Sequence, residues 1–416
     1  MFFILQIYIL PSFNGIYFLQ MVVMDLLIVI GIYAFRGFEV SNPISINKKV
    51  VSFSSGTLLG TLLSIIFILF FQIRLNQIFI IITFILFSII YPFLYGLMLK
   101  KYIKNLPVRK FLIIGKKEEF ENLMNEIEEK SLMKVKAWGY MNPSPVALSQ
   151  ALEKQNAFDS ILIANPDLVS DVSNVIERAK INGITLEYLP NLVETYLGRI
   201  PLEVIERYRN YYDPIFSSVE ETQAKRIYDI LLACLAIILT SPIMLILSII
   251  IPIESGFPII FKQTRIGKGK KPFKFYKFRS LKEVDADYLK EHKDPNETIQ
   301  MRVTKAGKVI RKIRFDEIPQ FFNVLNNTMS MIGPRPEMEN YHEQCMEKIP
   351  YYEYRYKYKP GITGWAQINY KHTSGMDDYK VKTEYDLYYI KNRNIFMDLE
   401  ITLKTIETML GMRGAK

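Results

Sequence analysis

The stretch Arg311-Lys-Ile-Arg314-Phe-Asp316-Glu317-Ile-Pro319-Gln320 decides how the second half of this 416-residue chain is read. Two adjacent carboxylates follow a basic run and precede a proline. The apolar residues Phe321, Phe322, Val324 and Leu325 come next and predict a buried helix starting near Asp316. Aspartate is a preferred N-cap, and proline is tolerated in a first helical turn because its missing N–H has no partner there anyway. Such a helix mouth carries free N–H groups and the positive end of the dipole, which suits a phosphate. Arg311 and Arg314 add planar guanidinium donors. Standing alone, Asp316 and Glu317 would be read as caps. Their company argues for chemistry: Gly333-Pro-Arg335-Pro336 lies downstream and Lys277-Phe-Arg279-Ser280 upstream. Carboxylates, arginines and a lysine are the parts of a phosphoryl-transfer site with a divalent metal.

Further upstream, Ile227–Ile253 is apolar and long enough to cross a bilayer. Two features argue for a helix that enters one leaflet and returns. Ser241-Pro242 sits at its middle, where proline breaks the hydrogen-bond ladder and serine can re-satisfy a freed carbonyl. Both flanks are basic: Lys225 and Arg226 before, and eight Lys or Arg with no acid over 262–279 after. By the positive-inside rule both ends are cytoplasmic. In that basic stretch Phe273, Phe275, Tyr276 and Phe278 interleave with Lys274, Lys277 and Arg279. A nucleic-acid surface has this composition, but an adjoining membrane helix makes anionic lipid the better partner. Lys277 and Arg279, at its far end, are read as phosphate contacts, with solvated strand charges as the plain alternative.

The remaining sequence sets the frame. Half of the residues are hydrophobic and the net charge is +10, which fits a mixed membrane protein with an anionic partner. The cysteines, Cys234 and Cys345, form no pair pattern, so the soluble parts are expected in a reducing cytoplasm. His292, His342 and His372 lack zinc spacing. Ile16–Phe35, Val51–Phe71 and Ile78–Leu99 read as membrane spans, and basic residues put everything after position 100 in the cytoplasm. Residues 2–10 are apolar but too short to cross, and no cleavable signal is read there. Asp25, mid-span, is either a polar contact or a protonated, snorkelling residue.

Residues 108–200 alternate strand and helix: strands at Phe111–Gly115, Val135–Met141, Phe158–Ala164 and Ile184–Leu189, helices over 117–130, 145–155 and 166–182. Alternation predicts a parallel sheet with Rossmann-like winding. The loop after the first strand, Gly115-Lys-Lys-Glu-Glu, lacks the glycine pattern for a dinucleotide, and none is expected. Residues 201–224, with Pro214, read as a linker. Trp365 is either a stacking face for a base or a packing anchor. The helix over 396–410 lies either on the membrane or in the core.

Six ordered motifs, spread over residues 222 to 416, resemble the bacterial sugar transferase domain of polyprenol-phosphate hexose-1-phosphate transferases. They are Lys225-Arg226-x-x-Asp229, Phe261-Lys-Gln263-x-Arg265-x-Gly267, Lys277-Phe-Arg-Ser280, Asp316-Glu-x-Pro-Gln320, Gly333-Pro-Arg-Pro336 and Pro360-Gly-Ile-Thr-Gly-Trp-Ala-Gln367. The tail from Tyr385 to Ala415 resembles the exopolysaccharide-synthesis branch. The resemblance implies an α/β multidomain membrane protein: transmembrane helices over 1–104, a Rossmann-like domain over 105–200, the linker, and a mainly helical catalytic domain over 225–416 with a re-entrant helix.

It further implies that a UDP-sugar gives its sugar-1-phosphate to polyprenyl (undecaprenyl) phosphate, releasing UMP, as the first step of exopolysaccharide or capsule synthesis. Asp316 would be the nucleophile and Glu317 with Asp316 the Mg2+ ligands. Lys277, Arg279, Arg311, Arg335, Gln320, Thr363 and Gln367 would bind phosphate and substrate. Anionic membrane lipids are expected partners and nucleic acid is not; a homodimer is left open. The expected location is the bacterial inner membrane, multi-pass, with the catalytic domain on the cytoplasmic face. The rival reading is a membrane-anchored lipid-binding sensor or scaffold without catalysis. Asn369-Tyr370-Lys371 and Arg314-Phe315 depart from the commoner family pattern, which bears on nucleotide or sugar fit.

Overall fold

The computed structural model of the chain describes residues 15–34, 46–70, 86, 90–142, 144–153, 157–282, 301–370 and 375–409. The residue 2–10 segment, half of the third predicted span, His292, His372 and the end of the tail lie outside the described residues. The chain forms two compact units, Met1–Gly198 and Arg199–Lys416.

In the first unit, helices α1 (Gly15–Ala34) and α2 (Ile46–Phe70) precede α3 (Tyr91–Asn105). Among the described residues their apolar stretches run 22–33 and 53–67, short of a full span. A parallel sheet follows, built from β1 (Arg109–Ile114), β2 (Val135–Met141), β3 (Ser160–Ile163) and β4 (Thr185–Tyr188) in the order β2-β1-β3-β4. Between the strands run α4 (Lys117–Lys130), α5 (Pro145–Glu153) and α6 (Ser173–Ile181), and α7 (Leu189–Leu197) follows β4. Strand side chains alternate between faces. Leu112, Ile114, Ile161 and Ile163 therefore share one face, where Leu148 and Ala151 of α5 and Ile176 and Ala179 of α6 cover them. Just past β1, a Cβ at Gly115 would stand 2.7 Å from the Phe120 ring. The glycine makes room for a core aromatic, and the first turn of α4 carries Glu118 and Glu119.

The second unit begins where a linker was expected. Instead, α8 (Leu202–Arg207) and α9 (Arg209–Ser217) form, and Pro214 sits inside α9. Burial explains the difference: Tyr212 and Phe216 are fully enclosed, and Phe216 stacks on Tyr354 at 4.8 Å. Next comes α10 (Gln223–Ser255), among the described residues the one helix long and apolar enough to cross a membrane. At 33 residues it is about 50 Å of helix if straight. Pro242 cannot donate to the Ile238 carbonyl one turn back. Ser241 Oγ donates to that carbonyl at 2.8 Å instead.

Both ends of α10 are fastened to the same unit. Near its start, Arg226 donates to the carbonyls of Val324 and Leu325 (2.7 and 2.9 Å), and Ala233 packs with Phe275 and Val324. Near its end, Leu247 and Ile251 pack with Phe278, Ile310 and Ile318, and Arg279 donates to the Ser255 carbonyl at 3.2 Å. Between these anchorages Ile238 and Leu239 are each 68% exposed and Leu245 67%.

Strands β5 (Ile260–Ile266) and β6 (Pro272–Phe278) pair antiparallel. They are followed by α11 (Lys305–Lys312), a 3-10 turn at Phe315–Glu317, and α12 (Gln320–Leu325). Strand β7 (Ser330–Ile332) pairs in parallel with β8 (Gly361–Thr363), with α13 (Glu339–Lys348) and a 3-10 segment at Tyr352–Lys357 between them. The chain closes with α14 (Trp365–Asn369), α15 (Met376–Asn392) and α16 (Ile395–Met409). Trp365 is a packing anchor: it is buried, stacks on Tyr388 and lies under Lys404. The α16 helix joins the core through Met397 and Ile401, leaving Ile395 and Phe396 exposed.

Candidate active site

The helix expected at Asp316 starts four residues later. Arg314 adopts a left-handed backbone (φ 56°, ψ 25°), which turns the chain sharply off α11 into the 3-10 turn. Within it the Glu317 and Ile318 amides donate to the carbonyls of Arg314 and Phe315 (3.2 and 3.3 Å). Those N–H groups are spent inside the turn, so Asp316 caps nothing and α12 opens at Gln320, with Pro319 at the cap position. The turn has a different use. It holds the Asp316 and Glu317 carboxylates against the end of β6, while Ile318 roots it in the cluster formed with Leu247 and Ile251 of the apolar helix.

Lys277, on β6, reaches both carboxylates: its Nζ lies 3.4 Å from Asp316 Oδ2 and 3.0 Å from Glu317 Oε1. Arg335 donates to the same Glu317 Oε1 at 2.8 Å, and Arg314 stands 3.7 Å from Oε2. Burial alone would raise the Glu317 carboxyl; Arg335 and Lys277 overcome it and hold it at about 2. Arg335 is raised in turn, because Glu317 outweighs the burial that would lower it. The turn thus carries a glutamate whose charge is strongly favoured beside an aspartate only 8% exposed.

Of the residues singled out in the sequence, the fold brings Asp316, Glu317, Lys277 and Arg335 together. Arg279 spends a donor on the end of α10. Arg311 is exposed on α11 and takes no part in the ion pairs of the two carboxylates. Thr363 Oγ1 is bonded to Thr405 Oγ1 at 2.8 Å. Gln320 is 0% exposed, and neither end of its carboxamide has a partner among the described residues. The Gln367 oxygen is likewise unpaired, while its nitrogen donates to the Ile362 carbonyl at 3.2 Å. His342 bonds the Tyr356 hydroxyl at 2.8 Å, and no cluster of three or more His, Cys, Asp or Glu converges among the described residues.

The bacterial sugar transferase family matches residues 220–412, nearly all of the unit that carries this site. A Bacillus subtilis protein described as "Uncharacterized sugar transferase EpsL" is 38% identical over 190 residues, 46% of this chain and 89% of that protein. This chain belongs to the bacterial sugar transferase family. A longer relative in Aeromonas hydrophila, a UDP-N-acetylgalactosamine-undecaprenyl-phosphate N-acetylgalactosaminephosphotransferase, is 38% identical over 261 residues, 62% of this chain and 60% of that one. In Escherichia coli K12 a UDP-glucose:undecaprenyl-phosphate glucose-1-phosphate transferase is 40% identical over 197 residues, 47% of this chain and 42% of its own length. The chain thus spans about half the length of these two relatives.

Within the sugar transferase unit, two groups behind the site had not been singled out for it. Arg265 lies inside a matched motif and donates to the Pro336 carbonyl at 2.7 Å. Arg355 belongs to no matched motif, yet it donates to the carbonyl of Arg335 at 3.1 Å. Nothing local marks Arg355, since its partners, Tyr352 apart, lie 18 or more residues away.

Proposed function

We propose that the chain transfers a sugar-1-phosphate from a UDP-sugar to polyprenyl phosphate, with UMP as the first product, as the initiating step of exopolysaccharide synthesis. The observation that carries this reading is a buried aspartate facing a lysine, on a turn rooted against an apolar helix. The names of the Aeromonas and Escherichia coli relatives support the same reaction class.

In the first step an Asp316 oxygen attacks the phosphorus that bears the sugar. The bond from that phosphorus to the bridging oxygen breaks, and its electron pair leaves with UMP. In the second step a phosphate oxygen of the lipid attacks the same phosphorus, the aspartyl bond breaks and Asp316 returns as a carboxylate. Dividing one displacement into two is the usual gain from covalent catalysis. Lys277 and Arg335 hold phosphate oxygens and balance their charge, with Arg279, Arg311, Gln320, Thr363 and Gln367 completing the substrate contacts.

Two adjacent hard carboxylates, one kept ionised, fit Mg2+, which is usually bound by one or two carboxylates plus substrate oxygens and water. Glu317 and Asp316 would hold it, with Glu317 Oε2 the more open oxygen, and it would neutralise charge on the phosphates. Attachment of both ends of α10 to one unit, with exposed apolar residues between, supports a re-entrant helix at headgroup depth. On this reading the site faces the cytoplasm, α1 to α3 belong to a multi-pass membrane region, and the parallel sheet is a Rossmann-like structural or regulatory domain.

The test uses a UDP-sugar labelled in the β-phosphate. Without lipid, the wild-type protein retains label and the Asp316→Asn protein does not. Full turnover by Asp316→Asn removes the nucleophile from the mechanism.

A further inference from the structure

The segment Gly333–Glu337 carries Arg335 to Glu317, and its sequence makes it hard to hold. Pro334 and Pro336 have no N–H, so the usual ladder cannot form on that side. The chain is gripped by its carbonyls instead. Gly361 N donates to Pro334 O at 2.9 Å, and Ile266 N to Glu337 O at 3.2 Å. Gly361 is required there, because a Cβ would stand 2.0 Å from the Gly333 nitrogen. The two carbonyls between are taken by guanidinium groups: Arg335 O by Arg355 and Pro336 O by Arg265.

Arg355 is placed with unusual completeness. It is 3% exposed. Its Nε donates to Asp386 Oδ2 at 2.8 Å, one terminal nitrogen to the Tyr352 hydroxyl at 2.5 Å, and the other to the Arg335 carbonyl. Glu337, 4.0 Å from the same guanidinium, is paired with Lys382. A planar fork can serve three acceptors in fixed directions, whereas a lysine ammonium is a point donor on a flexible stem. We propose that Arg355 is a positioning residue: by holding the Arg335 carbonyl it sets the Arg335 guanidinium against Glu317 and the substrate phosphates. The proposal rests on the phosphate-binding role given to Arg335 above.

A core ion pair that only stabilised the fold would weaken activity independently of Arg335. A double-mutant cycle separates the two cases. Four full-length proteins in the same detergent are compared: wild type, Arg335→Gln, Arg355→Lys and the double variant, each with its melting temperature. UMP release should fall about tenfold or more for Arg355→Lys alone, and less than about threefold further in the Arg335→Gln background. Losses that multiply would overturn the proposal. Asp386→Asn, which keeps the shape but frees Arg355 Nε of its charged partner, runs the same cycle if Arg355→Lys does not fold. If wild type releases no UMP from any UDP-sugar, the proposed function fails. The cycle is then read on UDP affinity, where additive losses or no binding by wild type refute the positioning role.

Discussion

Two of the places where the sugar transferase unit buries charge are built differently. Around Arg355 every group has a partner: Asp386, Tyr352 and a backbone carbonyl take its donors, and Lys382 pairs with Glu337. Around Asp316 the accounts stay open. Among the described residues its one ion pair is with Lys277 at 3.4 Å, and Gln320, nearby in sequence, is wholly buried with neither amide atom paired there. Low-dielectric surroundings strengthen satisfied polar networks and penalise unsatisfied ones. On the proposed function, the closed cluster is scaffold behind Arg335, and the open one is where substrate would supply the missing partners. Local rules are commonly broken at functional sites and compensated elsewhere; here the compensation sits directly behind Arg335.

The largest effect should come from the open cluster. Asp316→Asn is expected to lower turnover by at least about a thousandfold, the scale of losing a covalent nucleophile. Its melting temperature should stay near that of wild type, because Lys277 keeps Glu317 as a partner. Unfolding of Asp316→Asn at a clearly lower temperature would assign the aspartate to the scaffold. Next comes Glu317→Gln, which takes from Arg335 its carboxylate partner while Lys277 keeps Asp316, and should cost about 3 kcal/mol at neutral pH. The sign of the pH dependence follows from the carboxyl sitting at about 2 when folded, against an ordinary 4.5. Ionised glutamate favours the folded state above pH 4.5, and that stability drains away as pH falls toward about 2. In Glu317→Gln this part of the acid slope should vanish; an unchanged slope would show that the glutamate is not so held.

Much of this contrast was legible in the sequence. The stretch read as a strand over Val135–Met141 is β2 residue for residue, although it is an edge strand in which only Val135 is buried. Lys277, Asp316, Glu317 and Arg335 lie in motifs and meet in space. The start of α12 was misjudged because Pro319 suits both a first helical turn and the cap before one, and only the left-handed Arg314 decides between them. Pro214 suggested a linker, but the burial of Tyr212 and Phe216 outweighs one proline. The closed cluster was invisible, since Arg355, Asp386 and Lys382 are paired across long sequence separations that no local period records.

A third variant asks whether the open valence is functional. Replacing Gln320 by leucine removes a buried carboxamide whose unpaired groups cost about 1–3 kcal/mol. Gln320→Leu should therefore melt no lower than wild type, while UMP release falls about tenfold as a substrate contact is lost. Lower stability with normal turnover would mean that the amide is satisfied by ordered water and belongs to the scaffold.

The smallest effect should come from Arg311, which tests how far the open cluster extends. It is exposed and stands outside the ion pairs of the two carboxylates. Surface substitutions usually change stability by less than about 0.5 kcal/mol, so Arg311→Gln should leave the melting curve in place. If its guanidinium meets the incoming diphosphate, KM for the UDP-sugar should rise about threefold at low salt. That increment should shrink toward nothing near 1 M salt, where screening acts over about 3 Å. Lys312→Gln is the control, being exposed on the same helix one residue on. A helix turns by about 100° per residue, so the two side chains point in different directions. A selective rise for Arg311 would extend the open cluster onto α11. Equal rises for both would reduce Arg311 to one more charge in a basic surface and leave the phosphate clamp to Lys277 and Arg335.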